Sequence, residues 1–358
     1  EALERLWHNM TTRRMYVTGG VGSRYEGEAF GGDYELPNER AYAETCAAIG
    51  SVMWTWRMLM LGGDARYADL IEHTLYNAVL PGISLDGGRY FYQNPLAAGG
   101  THRRRPWFGC ACCPPNVARL LASLPGYFYG VSESTLWIHL YAESDATFQM
   151  EGDRTVSLRQ HTRYPWDGRV EISVGGEGEF ALMLRIPSWC EEGAAVEVNG
   201  EPIGHAPSPG SYLEIRRAWR PGDRVSLDLP MPVRRVECHP YVAENNGRVA
   251  LMRGPILYCV EQADNAIADL RDLTFGDTDP PVRFDPDLLG GVVVLEAGAE
   301  VAAPDDGWDD RLYRTRYPRV SGIRPGTTAL TAVPYYAWAN REPGAMLVWL
   351  KTGDPATG

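Results

Sequence analysis

The sequence has no apolar run of the roughly eighteen residues that a membrane-spanning helix needs, so no segment is expected to cross a bilayer as a helix. It is also short of positive charge. Lys and Arg total 34 against 46 Asp and Glu, a formal net charge of −12. That is the wrong sign for neutralising the phosphates of a nucleic acid or for adhering to an anionic membrane, so neither is expected as a partner. A neutral ligand such as a sugar is compatible with it. No Gly-Lys-Ser/Thr is present in the glycine-rich stretch 18–44, which excludes a Walker loop, and no strand precedes its glycines in register, which excludes a dinucleotide fingerprint. The N-terminus, EALERLWHNM, lacks the basic, apolar and cleavage regions of a secretion signal and reads as the middle of a helix. The seven cysteines (46, 110, 112, 113, 190, 238 and 259) are odd in number, and three fall within four residues. Such spacing argues against a disulfide scaffold and for a reduced compartment holding metal or catalytic thiols, with a cytoplasmic location as the expectation.

With 358 residues, 44% hydrophobic, two or three domains with sizeable cores are expected. The first third reads as helical. Residues 41–61 are apolar on nearly every side, with Asn38 as a candidate cap and Gly62-Gly63 as the stop. Residues 64–82 follow with Asp64 as cap, and 114–130 open on Pro114 and Pro115, which suit a helix start. Two largely buried helices in succession suggest the inner layer of a helical toroid or bundle. From about residue 131 the pattern alternates instead, as in 135–142, 155–162 and 169–174, with an Asn199-Gly200 hairpin turn. These are the marks of an antiparallel sandwich, and a further set of strands runs from about 233 to 350.

Four groups carry possible chemistry. In GCACCPPN, 109–116, Cys112 and Cys113 stand at the entrance of a helix, where a thiolate is stabilised. Glu44 and Cys46 are two residues apart at the start of another. One oxygen and three sulfurs would suit zinc, although C-x-C-C is not a zinc-ribbon spacing, Cys110 is an alternative ligand, and a buried structural role is equally open. The acidic, glycine-rich stretch 18–44 offers Glu26, Glu28, Asp33, Glu35 and Glu39, either as solvated loop charges or as a carboxylate for acid/base work. In 89–100, Tyr90, Tyr92 and Asn94 suit either a sugar site or packing between elements.

The segments RRMYVTGGVGS, GEAF, LPNERAYAETCAAIG, YFYQNPL and RPWFGCACCPPNVARLLASLPGYFY resemble the β-L-arabinofuranosidase family of glycoside hydrolases, family 127. RVALMRGPILYCVE and VPYYAWANR are similar to its later sheet segments, so the resemblance runs over nearly the whole chain. It implies a multidomain α+β fold: part of an (α/α)6 barrel followed by two antiparallel β-sandwich domains. The implied limits are 1–131 for the C-terminal part of the barrel, 132–233 plus 336–350 for the first sandwich, and 234–335 for the second. It implies a retaining exo-enzyme that releases terminal β-L-arabinofuranose through a cysteine thioglycoside, and the alternatives are a related glycosidase of other sugar specificity or a non-catalytic zinc-containing carbohydrate-binding protein. Carried over residue by residue, the nucleophile falls on Cys112, the general acid/base on Glu28 and a substrate contact on Tyr92. Zinc falls on Glu44, Cys46, Cys112 and Cys113. The expected partner is an arabinose-containing oligosaccharide or glycoconjugate, and a homodimer is compatible. Because a twelve-helix barrel cannot be drawn from about four helices, the resemblance also implies a missing N-terminal barrel region and weak activity of the chain alone.

Overall fold

The computed structural model describes residues 1–204, 207–302, 312–315 and 326–353. Ahead of residue 128 stand four α-helices: α1 (Ala2–Arg13), α2 (Thr45–Gly62), α3 (Ala65–Thr74) and α4 (Cys113–Ser123). These residues do not form an (α/α)6 barrel. Among the described residues the fold is a mixed α+β one in which strands dominate and the four helices are short. The connecting loops 14–44 and 83–112 hold isolated bridges and turns, with no helical apolar stripe to support further helices.

Each helix shows why it forms. α2 buries one stripe, Ala48, Ile49, Val52, Thr55 and Leu59, at helical spacing. Its Met60 and Leu61 are exposed, so the all-round burial suggested by its composition is not realised. It stops at Gly63, which takes the left-handed φ of 64° that a helix C-cap favours. Asn38 does not cap it; Glu44 occupies the cap position, and Asn38 donates its side-chain amide to Asn245 Oδ1 at 2.8 Å. The Asp64 carboxylate accepts the Arg66 N–H at the start of α3, and prolines occupy the first turn of α4. Trp7, Ile49, Val52, Tyr67, Ile71, Val117 and Leu120 form their common core.

Residues 129–228 make two sheets packed face to face. One holds four strands in the order 211–219, 178–186, 135–138, 129–132. The other holds six, in the order 144–150, 154–162, 169–175, 224–228, 195–198, 201–202. Val170, Ile172 and Val174 point inward from alternate positions and meet Leu182, Leu184 and Trp219 from the facing sheet. The Asn199-Gly200 turn takes positive φ at both residues and joins Val198 to Glu201, as an Asn-Gly hairpin should.

The third unit is a closed ring. Strands 248–253, 256–261, 326–334, 292–301, 273–275 and 350–352 pair successively, and the last pairs back to the first. Alternation sends Val249, Leu251, Tyr258 and Val260 into the ring core, and Ala250, Met252, Leu257 and Cys259 outward onto the helical unit. Residues 336–350, expected to return to the first sandwich, stay with this ring: Met346–Leu347 pairs with strand 256–261, and with Ala97–Ala98 of the helical unit. Residues 303–311 and 316–325, within the expected second sandwich, lie outside the described residues.

Candidate active site and metal centre

Two helix starts bring the cysteines together. Glu44 is the N-cap of α2 with Cys46 in its first turn, and Cys112 is the N-cap of α4 with Cys113 as its first residue. A third segment closes the arrangement. The Thr45 N–H donates to Tyr92 O at 3.0 Å, and the Thr45 hydroxyl donates to Phe91 O at 2.9 Å. The buried Asn94 amide donates to Ala43 O and Thr45 Oγ1 at 2.9 and 3.0 Å. These bonds hold Tyr92 beside the start of α2, and Ala43 turns the chain into Glu44 with a positive φ of 35°.

One ligand atom each from Glu44, Cys46, Cys112 and Cys113 lies within 4.8 Å of all the others, a cluster able to hold a metal ion. Cys113 Sγ is 3.7 Å from both Cys46 Sγ and Cys112 Sγ, and Glu44 Oε1 is 3.3 Å from Cys112 Sγ and 3.8 Å from Cys113 Sγ. Without an ion, the electrostatics keep Cys112 and Cys113 protonated. Burial pushes the Cys112 thiol up to about 11. The Cys46 sulfur and then burial raise Cys113 far above the ordinary thiol range, while Cys46 is lowered to about 7 by the Cys113 sulfur beside it. Three sulfurs so close cannot all be anionic without a compensating positive charge.

Glu28 stands on the open side of this cluster. Gly27 sits third in the turn Tyr25–Glu28 with φ of 76°, and Glu28 itself takes φ of 50°, a left-handed conformation that costs a side-chain-bearing residue about 1 kcal/mol or more. Tyr42 and Tyr92 both donate to Glu28 Oε1, at 2.7 and 3.2 Å. The Tyr92 hydroxyl is also 3.3 Å from Cys112 Sγ. Those two legs of 3.2 and 3.3 Å limit the separation of Glu28 Oε1 and Cys112 Sγ to 6.5 Å. Tyr92 is held protonated, raised well above the ordinary phenol value by its bond to Cys112 and then by burial. A cavity of about 500 Å³ opens here, lined by Glu28, Tyr42, Tyr92, Gln93, Arg105 and Phe108 among others.

The structure brings together the six residues that the resemblance assigns: Glu28, Glu44, Cys46, Tyr92, Cys112 and Cys113. Cys110 does not join the four ligand atoms; it is exposed and lines the cavity. Cys190 and Cys259 are buried strand-associated thiols that are not among the four ligand residues. Tyr42 was not singled out, since a tyrosine inside ERAYAE carries no local mark of a bond to a carboxylate fourteen residues earlier. No histidine is among the partners of the Cys112 thiol, which touches Glu44, Tyr92 and Cys113; the geometry of a cysteine–histidine hydrolase is therefore not formed among the described residues.

Family models described as "Beta-L-arabinofuranosidase, GH127 catalytic domain", "Beta-L-arabinofuranosidase, GH127 middle domain" and "Glycoside hydrolase family 127 C-terminal domain" match residues 1–126, 135–231 and 233–351. The non-reducing end beta-L-arabinofuranosidase of Bifidobacterium longum subsp. longum is 38% identical over 377 residues, covering 98% of this chain and 55% of that protein. The crystal structure of a GH127 beta-L-arabinofuranosidase from Geobacillus stearothermophilus T6 is 46% identical with a TM-score of 0.90, over 98% of this chain and 56% of that one. The GH127 beta-arabinofuranosidase BT3674 is 38% identical with the same TM-score of 0.90 and the same coverage. The chain thus spans about half the length of these relatives. Where the resemblance implied a barrel remnant and a missing N-terminal partner, the catalytic-domain model matches residues 1–126 directly. The catalytic, middle and C-terminal models follow one another along the chain, and the structural matches cover 98% of it.

Proposed function

Given that the chain belongs to glycoside hydrolase family 127, we propose that it is a retaining glycosidase releasing terminal β-L-arabinofuranose, with Cys112 as nucleophile and Glu28 as acid/base. The observation that carries this reading is the Glu28–Tyr92–Cys112 contact chain. Its 6.5 Å limit admits the roughly 5–5.5 Å separation of a retaining pair. A binding protein would have no need to hold a carboxylate that close to a thiol.

The donor set fits zinc. A tetrahedron with sulfur arms of about 2.3 Å has edges near 3.8 Å, against the 3.7 Å between Cys113 Sγ and each neighbouring sulfur. Glu44, Cys46, Cys112 and Cys113 would hold the ion. Bound there, zinc supplies the positive charge that keeps the thiols deprotonated at neutral pH.

The chain's own residues then divide the work. Cys112 Sγ attacks the anomeric carbon, the bond from that carbon to the leaving oxygen breaks, and Glu28 gives that oxygen its proton. Both phenols are aimed at Glu28 Oε1, which leaves Oε2 free to carry the proton. The ionised Glu28 next takes a proton from water, whose oxygen displaces Cys112 and returns the sugar with its configuration retained. Tyr92 has one proton for two neighbours: it serves Glu28 while Cys112 is a thiol and turns to the sulfur when Cys112 is a thiolate.

Incubation with a cysteine-reactive cyclitol mimic of arabinofuranose, followed by intact-protein mass spectrometry and peptide mapping, tests the assignment. One adduct per chain on Cys112 is expected, absent from Cys112→Ser. Labelling at Cys110 or Cys46 instead would remove the nucleophile assigned here.

A further inference from the structure

A second cavity, of about 660 Å³, opens beside the first. Tyr25, Tyr42 and Gln93 line both cavities. Its far wall comes from the third unit, at Tyr241–Glu244. That wall is fixed to the helical unit: the Asn38 N–H donates to the Glu244 carboxylate at 2.8 Å and the Asn38 amide to Asn245 at 2.8 Å, the latter buried. Two large aromatic rings face solvent at its rim, Tyr25 at 65% exposure and Tyr241 at 75%. Neither is loose. Tyr25 packs edge-on against Tyr42 at 5.5 Å, and Tyr241 packs edge-on against Tyr34 and His239, which stack on each other at 4.3 Å. Exposed aromatic surface held rigid beside carboxylates and amides is built for a ligand with one apolar face and a hydroxylated edge. A sugar ring has that shape.

We infer that this second cavity is the leaving-group subsite, binding the next sugar of an oligosaccharide with its ring against Tyr241. The inference rests on the glycosidase reading above and adds to it the place of the second sugar, recognised by Tyr241 of the third domain. Glu28 supports the direction. An acid that protonates the leaving oxygen must stand between the sugar being released and the remainder of the substrate; Glu28 lines the first cavity, and Tyr42, which donates to it, lines both.

Calorimetric titration separates the two readings. The probes are methyl β-L-arabinofuranoside and a sulfur-linked β-L-arabinofuranosyl disaccharide that cannot be cleaved. The parent chain should bind the disaccharide about five- to tenfold more tightly. Tyr241→Ala should erase that advantage and leave the methyl glycoside unchanged, which also shows that the variant is folded. Tyr241→Phe should keep the advantage. Equal affinity of the parent for both probes, or an equal loss of both in Tyr241→Ala, would overturn the subsite while leaving the glycosidase reading standing. Failure of the parent to bind either probe would overturn both.

Discussion

At the scale of single residues, the site depends on protons more than on contacts. Glu28 is exposed and makes no structural bond beyond its two phenols, so Glu28→Gln should fold with an unchanged thermal midpoint. Its amide cannot give up a proton at Oε2. Turnover of alkyl arabinofuranosides should fall by about 10²–10⁴-fold, while a dinitrophenyl glycoside, whose leaving group needs no proton, should still be opened by Cys112 and accumulate as an adduct. Steady-state rates on the two substrates check this, and an equal loss on both would take the acid role from Glu28. A second residue-scale effect lies away from the site. His139 is buried against Tyr212 and Trp56, and burial first, then Arg185, lowers it to about 3. The unfolded chain binds that proton near pH 6.5 and the folded one does not, so stability is fully present above 6.5 and is lost as pH falls towards 3. Between pH 7.5 and 5 the loss is about 2 kcal/mol at this one residue. Urea unfolding should show the parent losing about that much more than His139→Gln over the same interval; equal pH dependence of the two would mean that the folded His139 takes up its proton after all. The sequence showed Glu28 only through the GEAF motif, since Glu26, Glu35 and Glu39 read the same by type. What distinguishes Glu28 is the pair of phenols, one of them sixty-four residues away, and such a pairing has no signature in local order.

The element scale explains why the cysteine cluster could be read from the sequence and the helix environment could not. Each ligand pair lies within three residues at a helix start, and the prolines after Cys113 mark the first turn of α4, whereas the cap of α2, expected at Asn38, stands at Glu44. The spacing within each pair is local. Burial of α2 is not: its composition is apolar on nearly all sides, yet only one stripe finds partners and Leu61 is left 77% exposed. Ring closure in the third unit was equally invisible, because strands 273–275 and 350–352 have three residues each and carry no measurable alternation. The same geometry makes a prediction about α2 and α4. Their first turns share the ion-binding atoms, so a bound ion staples one helix to the other. Dialysis against a chelator should lower the thermal midpoint, and amide exchange should speed up chiefly over 44–48 and 112–116, returning to its starting rate on adding zinc. Faster exchange spread evenly over the chain, or none, would show that the four residues do not hold an ion together.

For the whole molecule, the question is what ties the helical unit to the sheets. Arg185 is the main tie between the helical unit and the two packed sheets. Its side chain is fully buried in strand 178–186, and it donates from Nη1 to Asp69 at 2.6 Å, from Nη2 to Glu72 at 2.5 Å and from Nε to His139 O at 2.6 Å. Both acids belong to α3, and Glu72 also accepts from Tyr164 and Trp189, so every oxygen of the pair is used. A buried ion pair contributes little net stability against apolar replacements, but losing one partner leaves the other charge buried alone. Arg185→Met should therefore cost about 3–5 kcal/mol, read from urea unfolding, since the thioether fills much of the space but balances neither Asp69 nor Glu72. Adding Glu72→Gln to it removes one stranded charge and should recover part of that loss. The recovery is the discriminating result: if Arg185 acted through packing alone, the second substitution would only add to the damage, because it weakens the acceptors for Tyr164 and Trp189 and restores nothing. Partial rescue would mean that charge balance between α3 and the strand, more than contact area, keeps the two units in register.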